Sequence, residues 1–312
     1  MNNILLLGAN GQLGRSFLEH HELSKLGHVI AASRDGTRFD GGPAEVADLS
    51  SPATLSVRLD KVRPAIIINA AAYTAVDRAE QEEPLATTVN GEAVAVIARW
   101  AATHHALVVH YSTDYVFDGY ASLPYPIDAA TAPLGAYGRS KLAGEQALQA
   151  SGASCLLFRT AWVYAPYGHN FLRTMLRLGA ERDELRVVAD QYGAPTSTNT
   201  IVNATLTALM GWQHADAPQR TAMQGVHHLV ASGRTSWHGF ASAIFEKAHA
   251  HGLIPRIPRV LPITTAEYPT PAKRPAWSVL DNQGFQQRFG YALADWQEGL
   301  DQVIDILAKQ AR

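Results

Sequence analysis

Three glycines, Gly8, Gly11 and Gly14, stand between a short apolar run at residues 4–7 and a helical pattern that carries through Phe17 and Leu18. Few local arrangements narrow the choice of fold as far. A continuous apolar run closed by glycine reads as a strand buried on both faces, and the helical stretch after it reads as its crossover helix. Glycine permits a tight turn there and lets the backbone approach a pyrophosphate, whose charge is met by the unpaired N–H groups of the helix's first turn. Gly8, Gly11, Gln12, Leu13 and Gly14 are therefore candidate dinucleotide contacts.

The alternation continues along the chain. Apolar runs at 29–32, 65–70, 107–111 and 154–159 alternate with helical patterns at 53–61, 84–103 and 136–150. This predicts an α/β fold on a doubly wound parallel sheet of the Rossmann-like, NAD(P)-binding kind. After about residue 164 the regularity breaks, and prolines cluster between 255 and 275. The expected organisation is a dinucleotide-binding domain over 1–165, with a return segment near 197–230, and a smaller α+β substrate domain formed mainly by 166–312. At 312 residues and 47% hydrophobic, the chain can bury both cores.

Lys and Arg are scattered and the formal net charge is −2, so neither nucleic acid nor a membrane surface is expected as a partner. The only cysteine, Cys155, lies in an apolar segment and reads as a buried small hydrophobe; no disulfide within the chain can form. Met1 leads almost directly into the first strand, with no basic region, long apolar segment or small-residue cleavage site, which gives a cytoplasmic expectation. His227-His228, His249 and His251 do not read as a metal site: adjacent histidines in a strand point opposite ways, and no cysteine or carboxylate cluster accompanies them.

Tyr137 and Lys141 stand four apart on the helix at 136–150 and so share one face. A phenol with a pKa near ~10 is a poor acid at neutral pH, but a neighbouring ammonium favours the phenolate and lowers that value. Upstream, Ser112-Thr113-Asp114 ends the run at 107–111. A carbonyl oxygen that gains charge as hydride arrives needs donors already aimed at it, and two hydroxyls with an ammonium supply them. The second strand ends Ala31-Ala32-Ser33-Arg34. NAD proteins usually carry an acid about 20 residues beyond the glycine loop, so Ser33 and Arg34 favour NADPH, while Asp35 keeps NADH open.

The spacing Gly-x-x-Gly-x-x-Gly and the Tyr-x-x-x-Lys pair resemble those of the extended short-chain dehydrogenase/reductase superfamily. More particular runs resemble, within it, the dTDP-4-dehydrorhamnose reductase family: Asn69 to Asp77, His110-Tyr111-Ser112-Thr113-Asp114-Tyr115-Val116-Phe117, Tyr137 to Glu145, Phe158 to Tyr164, Asp190-Gln191-Tyr192-Gly193-Ala194-Pro195-Thr196, and Tyr268 to Pro271 with Arg274-Pro275. The resemblance spans most of the chain. It implies reduction of the 4-keto group of dTDP-4-dehydro-β-L-rhamnose by NADPH or NADH to give dTDP-β-L-rhamnose, the last step of that pathway. It also implies roles: Tyr137 as proton donor, Lys141 lowering its pKa and bonding the nicotinamide ribose, and Thr113 orienting carbonyl and phenol.

Further positions follow from the same resemblance. Asp48 and Leu49 would meet adenine, and Ala71, Ala72, Tyr73, Thr74 and Tyr111 would lie beside the cofactor. Thr113 and Trp162 would meet the sugar, Asp114 the sugar or the nucleotide, and Arg274 the diphosphate, whose oxygens suit a guanidinium fork. Some members of that family dimerise through magnesium held by glutamates; Ser16 and Asn199 stand at those places, so no metal is expected and a homodimer is left open. Two other readings remain. A nucleotide-sugar epimerase or dehydratase of the same superfamily is one, although a dehydratase usually carries Asp-Glu where this chain has Asp114-Tyr115. A non-catalytic NADP-binding regulatory subunit is the other, although Thr113, Tyr137 and Lys141 are all present.

Overall fold

The computed structural model describes residues 2–311. Strands β1 (Asn3–Leu7), β2 (His28–Ser33), β3 (Glu45–Val46), β4 (Ile66–Asn69), β5 (Leu107–Thr113) and β6 (Cys155–Thr160) join the strand Gly225–His228 in a seven-stranded sheet. Its order is Gly225–His228, β6, β5, β4, β1, β2, β3, and every pairing is parallel. The order reverses between β1 and β4. In such sheets the crevice outside the carboxyl ends at the reversal is where ligands bind.

Alternate residues of each strand feed two cores. Ile4, Leu6, Ile68, Val109, Leu156 and Phe158 face the helices Gln12–Glu19 and Thr198–His214. Leu5, Leu7, Ile67, Val108 and Leu157 face the helices Leu55–Val62 and Ala93–His104. Burial on both sides is why these strands read as unbroken apolar runs. A further core, with Leu172, Phe240, Phe245, Trp296 and Leu300, gathers the helices Phe171–Glu181, Trp237–Ala250 and Trp296–Gln310. The parallel pair Glu184–Val188 and Arg259–Ile263 accompanies it.

The helix expected over 84–103 differs in form. It runs as Glu83–Thr87, a π turn over Thr88–Glu92, and Ala93–His104. Asn90 and Gly91 lie in the π turn, and a methyl group on Gly144 of the neighbouring helix Ala136–Ala150 would collide with the Asn90 carbonyl. The widened turn lets Asn90 face inward, a common use of π bulges. Adjacent His227 and His228 bond apart, to the carbonyls of Met223 and Asp281. Among the described residues no helix is long and apolar enough to cross a membrane.

Candidate active site

The helix Ala136–Ala150 delivers the acid pair. Its first N–H, on Ala136, donates to Glu80 Oε1 at 2.8 Å, and Arg139 pairs with Glu83 at 2.7 Å, so two carboxylates from the segment before the π turn fix where it starts. Lys141 is buried to 2% exposure, and its Nζ donates to the carbonyl of Tyr111 at 2.6 Å. Burial pulls its ammonium down to about 8, and the Glu145 carboxylate one turn on opposes that. Glu145 is itself buried against Arg159, which donates from Nε at 3.0 Å and Nη2 at 2.7 Å.

Tyr137 is half-buried, its ring edge-on to Tyr115 at 5.6 Å. Burial pushes its phenol up to about 12; the neighbouring Thr113 hydroxyl pulls it back and the Asp114 charge adds to the rise. This corrects the lowering expected from Lys141. Desolvation is the largest influence and holds the phenol in its protonated form, while the Lys141 ammonium turns one of its protons to the Tyr111 carbonyl.

Thr113 ends β5 and turns into a short helical turn. Its hydroxyl donates to Asp114 Oδ1 at 2.9 Å and accepts from Tyr115 N at 3.2 Å. Its one proton is directed to Asp114, which fixes the side chain beside the phenol. Asp114 is 2% exposed, and burial pushes it up to about 6, opposed by the nearby Ser278 hydroxyl and by the bond from Thr113. Its Oδ2 is buried with no partner.

The glycine loop closes the other side of the crevice. Gly8 takes φ +79°, and a Cβ there would lie 2.7 Å from Ala71 N, so loop and β4 end meet backbone to backbone. Gly11 gives the helix Gln12–Glu19 no side-chain cap. An uncapped helix start over a cradle that a methyl would fill suits a pyrophosphate, and these residues fit the dinucleotide. Gln12 turns its carbonyl to Asn170 Nδ2 at 2.7 Å, and Leu13 packs against the core. Ser33 donates to Asp35 Oδ1 at 2.9 Å, which Thr37 N also approaches at 3.1 Å. Arg34 is exposed and makes no ion pair among the described residues. Asp48 Oδ1 takes the N–H of Ser50, and Leu49 is buried.

Beyond β4, Ala71 is half-buried, and Ala72 and Thr74 are exposed. Tyr73 N donates to Asn90 Oδ1 at 2.9 Å, and its phenol goes to Glu82 at 2.6 Å. Tyr111 contributes only its main-chain carbonyl. Its ring lies in the core near Phe17 and Phe158, and its hydroxyl bonds Thr205 at 2.9 Å. Arg274 pairs with Asp77 at 2.7 Å, and its charge acts on the Tyr115 phenol. Trp162 follows β6 with one ring face covered by Trp237 at 3.4 Å. Ser16 and Asn199 line one pocket with Glu19, His20 and Tyr167, and the Ser16 hydroxyl is bonded to Tyr167 and Thr198.

Sequence reasoning missed Asn90, which bonds both backbone groups of Tyr73 and the Ser140 hydroxyl. An Asn-Gly pair inside a helical run was the available signal. It also missed Glu80, the Glu145–Arg159 pair and Trp237, whose partners are remote in sequence.

A model of the RmlD substrate binding domain family matches residues 1–309. The chain is 45% identical over 309 residues to a dTDP-4-dehydrorhamnose reductase of Burkholderia thailandensis, covering 98% of this chain and 99% of that protein. It is 43% identical to the enzyme of the same name from Escherichia coli, covering 98% of each. A crystal structure of a dTDP-4-dehydrorhamnose reductase from Bacillus anthracis in complex with NADP superimposes with a TM-score of 0.86 at 31% identity, over 98% of this chain and 99% of that one.

Proposed function

Because the chain belongs to the dTDP-4-dehydrorhamnose reductase family, we propose that Tyr137 delivers the proton in the reaction it catalyses, reduction of the 4-keto group of dTDP-4-dehydro-β-L-rhamnose to dTDP-β-L-rhamnose with NADPH or NADH as reductant. The observation that carries this role is a phenol held protonated beside Thr113, at the carboxyl end of β5, one strand from the point where the strand order reverses. Gly8, Gly11 and Gly14 with the start of the helix Gln12–Glu19 would hold the cofactor's pyrophosphate. Bound there, the reduced nicotinamide supplies hydride to the carbonyl carbon.

Tyr137 then gives its proton to the C4 oxygen as charge gathers there. Thr113 stands beside the phenol, its side chain oriented by its bond to Asp114, and its hydroxyl favours the phenolate that forms as the proton leaves. Lys141, charged below about pH 8, supplies positive potential beneath the phenol and stabilises the phenolate once the proton has left. Asp114, with one oxygen unpartnered, is placed to accept a sugar hydroxyl, and Arg274 to meet the diphosphate.

NADPH is the preferred reductant in this reading. Arg34 is exposed at the tip of β2, while the Asp35 carboxylate is turned to Ser33 and Thr37 rather than left for ribose hydroxyls. Residues 1–165 with the return segment 197–230 form the cofactor domain in this reading, and 166–312 mainly the substrate domain; the separate cores support that division except at Phe285 and Leu293, which pack in the core of the first sheet. The test is incubation of purified protein with dTDP-4-dehydrorhamnose and NADPH. Loss of reduced-nicotinamide absorbance matched by dTDP-rhamnose is expected, and turnover that survives Tyr137→Phe would remove the phenol from its role.

A further inference from the structure

Trp162 is one of three non-glycine residues with positive φ among the described residues, at +48°. A bulky residue in the left-handed region is strained and persists only where its surroundings over-determine it. Here they do. The ring of Trp237 lies face to face on Trp162, with centroids 3.4 Å apart and planes within 3°. On the pyrrole bond, a Cβ on Gly193 would sit 2.6 Å from both Nε1 and Cε2, so the Gly193 backbone abuts the ring.

Trp237 is in turn held from two sides. Its Nε1 donates to Gln191 Oε1 at 3.2 Å, and Gln191 Nε2 donates to Thr265 at 3.0 Å. Its ring also packs against Phe171 at 4.7 Å. Phe171 follows Asn170, the residue bonded to Gln12 of the glycine loop. Two elements of the C-terminal core, the helix Trp237–Ala250 and the segment at Gln191, thus converge on one indole at the end of β6.

We propose that Trp237 is a positioning residue for the nucleotide sugar: stacked on Trp162, it fixes the left-handed turn and the ring that receives the sugar, without touching the cofactor or the reacting atoms. The inference rests on Trp162 meeting the sugar, as the proposed function has it. Unstacked, Trp162 can leave the left-handed region, and the sugar must reorder it on binding. That loss falls on KM rather than on kcat, because the acid pair on the helix Ala136–Ala150 is untouched.

Four variants decide the matter. Trp237→Leu should raise KM for the nucleotide sugar about tenfold, the scale of one aromatic pair, with kcat within about twofold and NADPH affinity unchanged. Trp237→Phe, which keeps a stacking ring, should stay within about threefold of the parent. The far-ultraviolet circular dichroism couplet of two face-to-face indoles should vanish in Trp237→Leu and Trp162→Leu alike. The double variant should match Trp162→Leu alone, since Trp237 acts only through its partner. An unchanged KM in Trp237→Leu, a Trp237→Phe as impaired as the leucine variant, or additive losses in the double variant would overturn the proposal. A Trp162→Leu with parental KM would instead refute the sugar contact itself.

Discussion

Replacing Tyr137 by phenylalanine deletes one hydroxyl and disturbs little else. The ring keeps its edge-on contact with Tyr115 at 5.6 Å, and neither the Lys141 bond to Tyr111 nor the Asn90 bonds to Tyr73 and Ser140 involve the lost oxygen. Loss of the hydroxyl beside Thr113 costs about 1 kcal/mol. Folding and pyrophosphate binding should therefore survive. Turnover should not: a positioned general acid contributes ~10²–10⁴-fold, or about 3–5 kcal/mol of barrier. The assay compares kcat by reduced-nicotinamide absorbance with NADPH affinity by fluorescence titration. Retention of more than about a tenth of the turnover would refute the acid role. A large loss of cofactor affinity would show instead that the phenol works mainly by binding.

Arg34→Ala should lower kcat/KM for NADPH and leave that for NADH near the parent value; equal weakening of both would mean Arg34 does not contact the extra phosphate. As pH rises through about 8, Lys141 loses its proton and turnover should fall. The unfolded lysine keeps its proton to about 10.5, so the unfolded chain binds more protons across this window and the lysine's contribution to folding stability rises over the same interval. Opposed trends in activity and thermal midpoint, both absent in Lys141→Met, are expected, and a flat activity profile from pH 7 to 9 would contradict the lowered value. Chelation by EDTA should change neither activity nor sedimentation, because Ser16 is bonded to Tyr167 and Thr198, and Glu19 in the same pocket is paired with Arg15, so too little free carboxylate is there to replace the hydration of magnesium. Dissociation reversed by magnesium would mean that other carboxylates form the site.

What the sequence made legible follows from range of interaction. Runs such as 4–7 and 107–111 announce themselves because both faces of the strand are buried, and the helix Ala136–Ala150 appears with its expected bounds because Gly135 and Ser151 flank a regular pattern. The joining of Thr113, Asp114 and Tyr137 was readable from short motifs. The π turn was not, since it answers to Gly144 on another helix. Nor was the direction of the Tyr137 shift: spacing reveals a neighbouring ammonium, but desolvation is a property of the whole crevice. Trp162 was visible as a candidate, but its stack on Trp237 depends on a helix remote in sequence. Two-residue strands such as β3 are tertiary outcomes with no local pattern to find.

The helix Thr198–His214 has a consequence for how the chain is made. It supplies Ile201, Val202, Leu206 and Leu209 to one face of the first sheet, and Phe285 and Leu293 close the same face from nearer the C-terminus. During synthesis the five long strands leave the ribosome well before these residues, so an apolar face waits uncovered while the intervening chain is added. A nascent chain stopped after β6 is therefore a substrate for chaperones rather than a finished domain. Cutting the gene there would not yield a soluble cofactor-binding fragment.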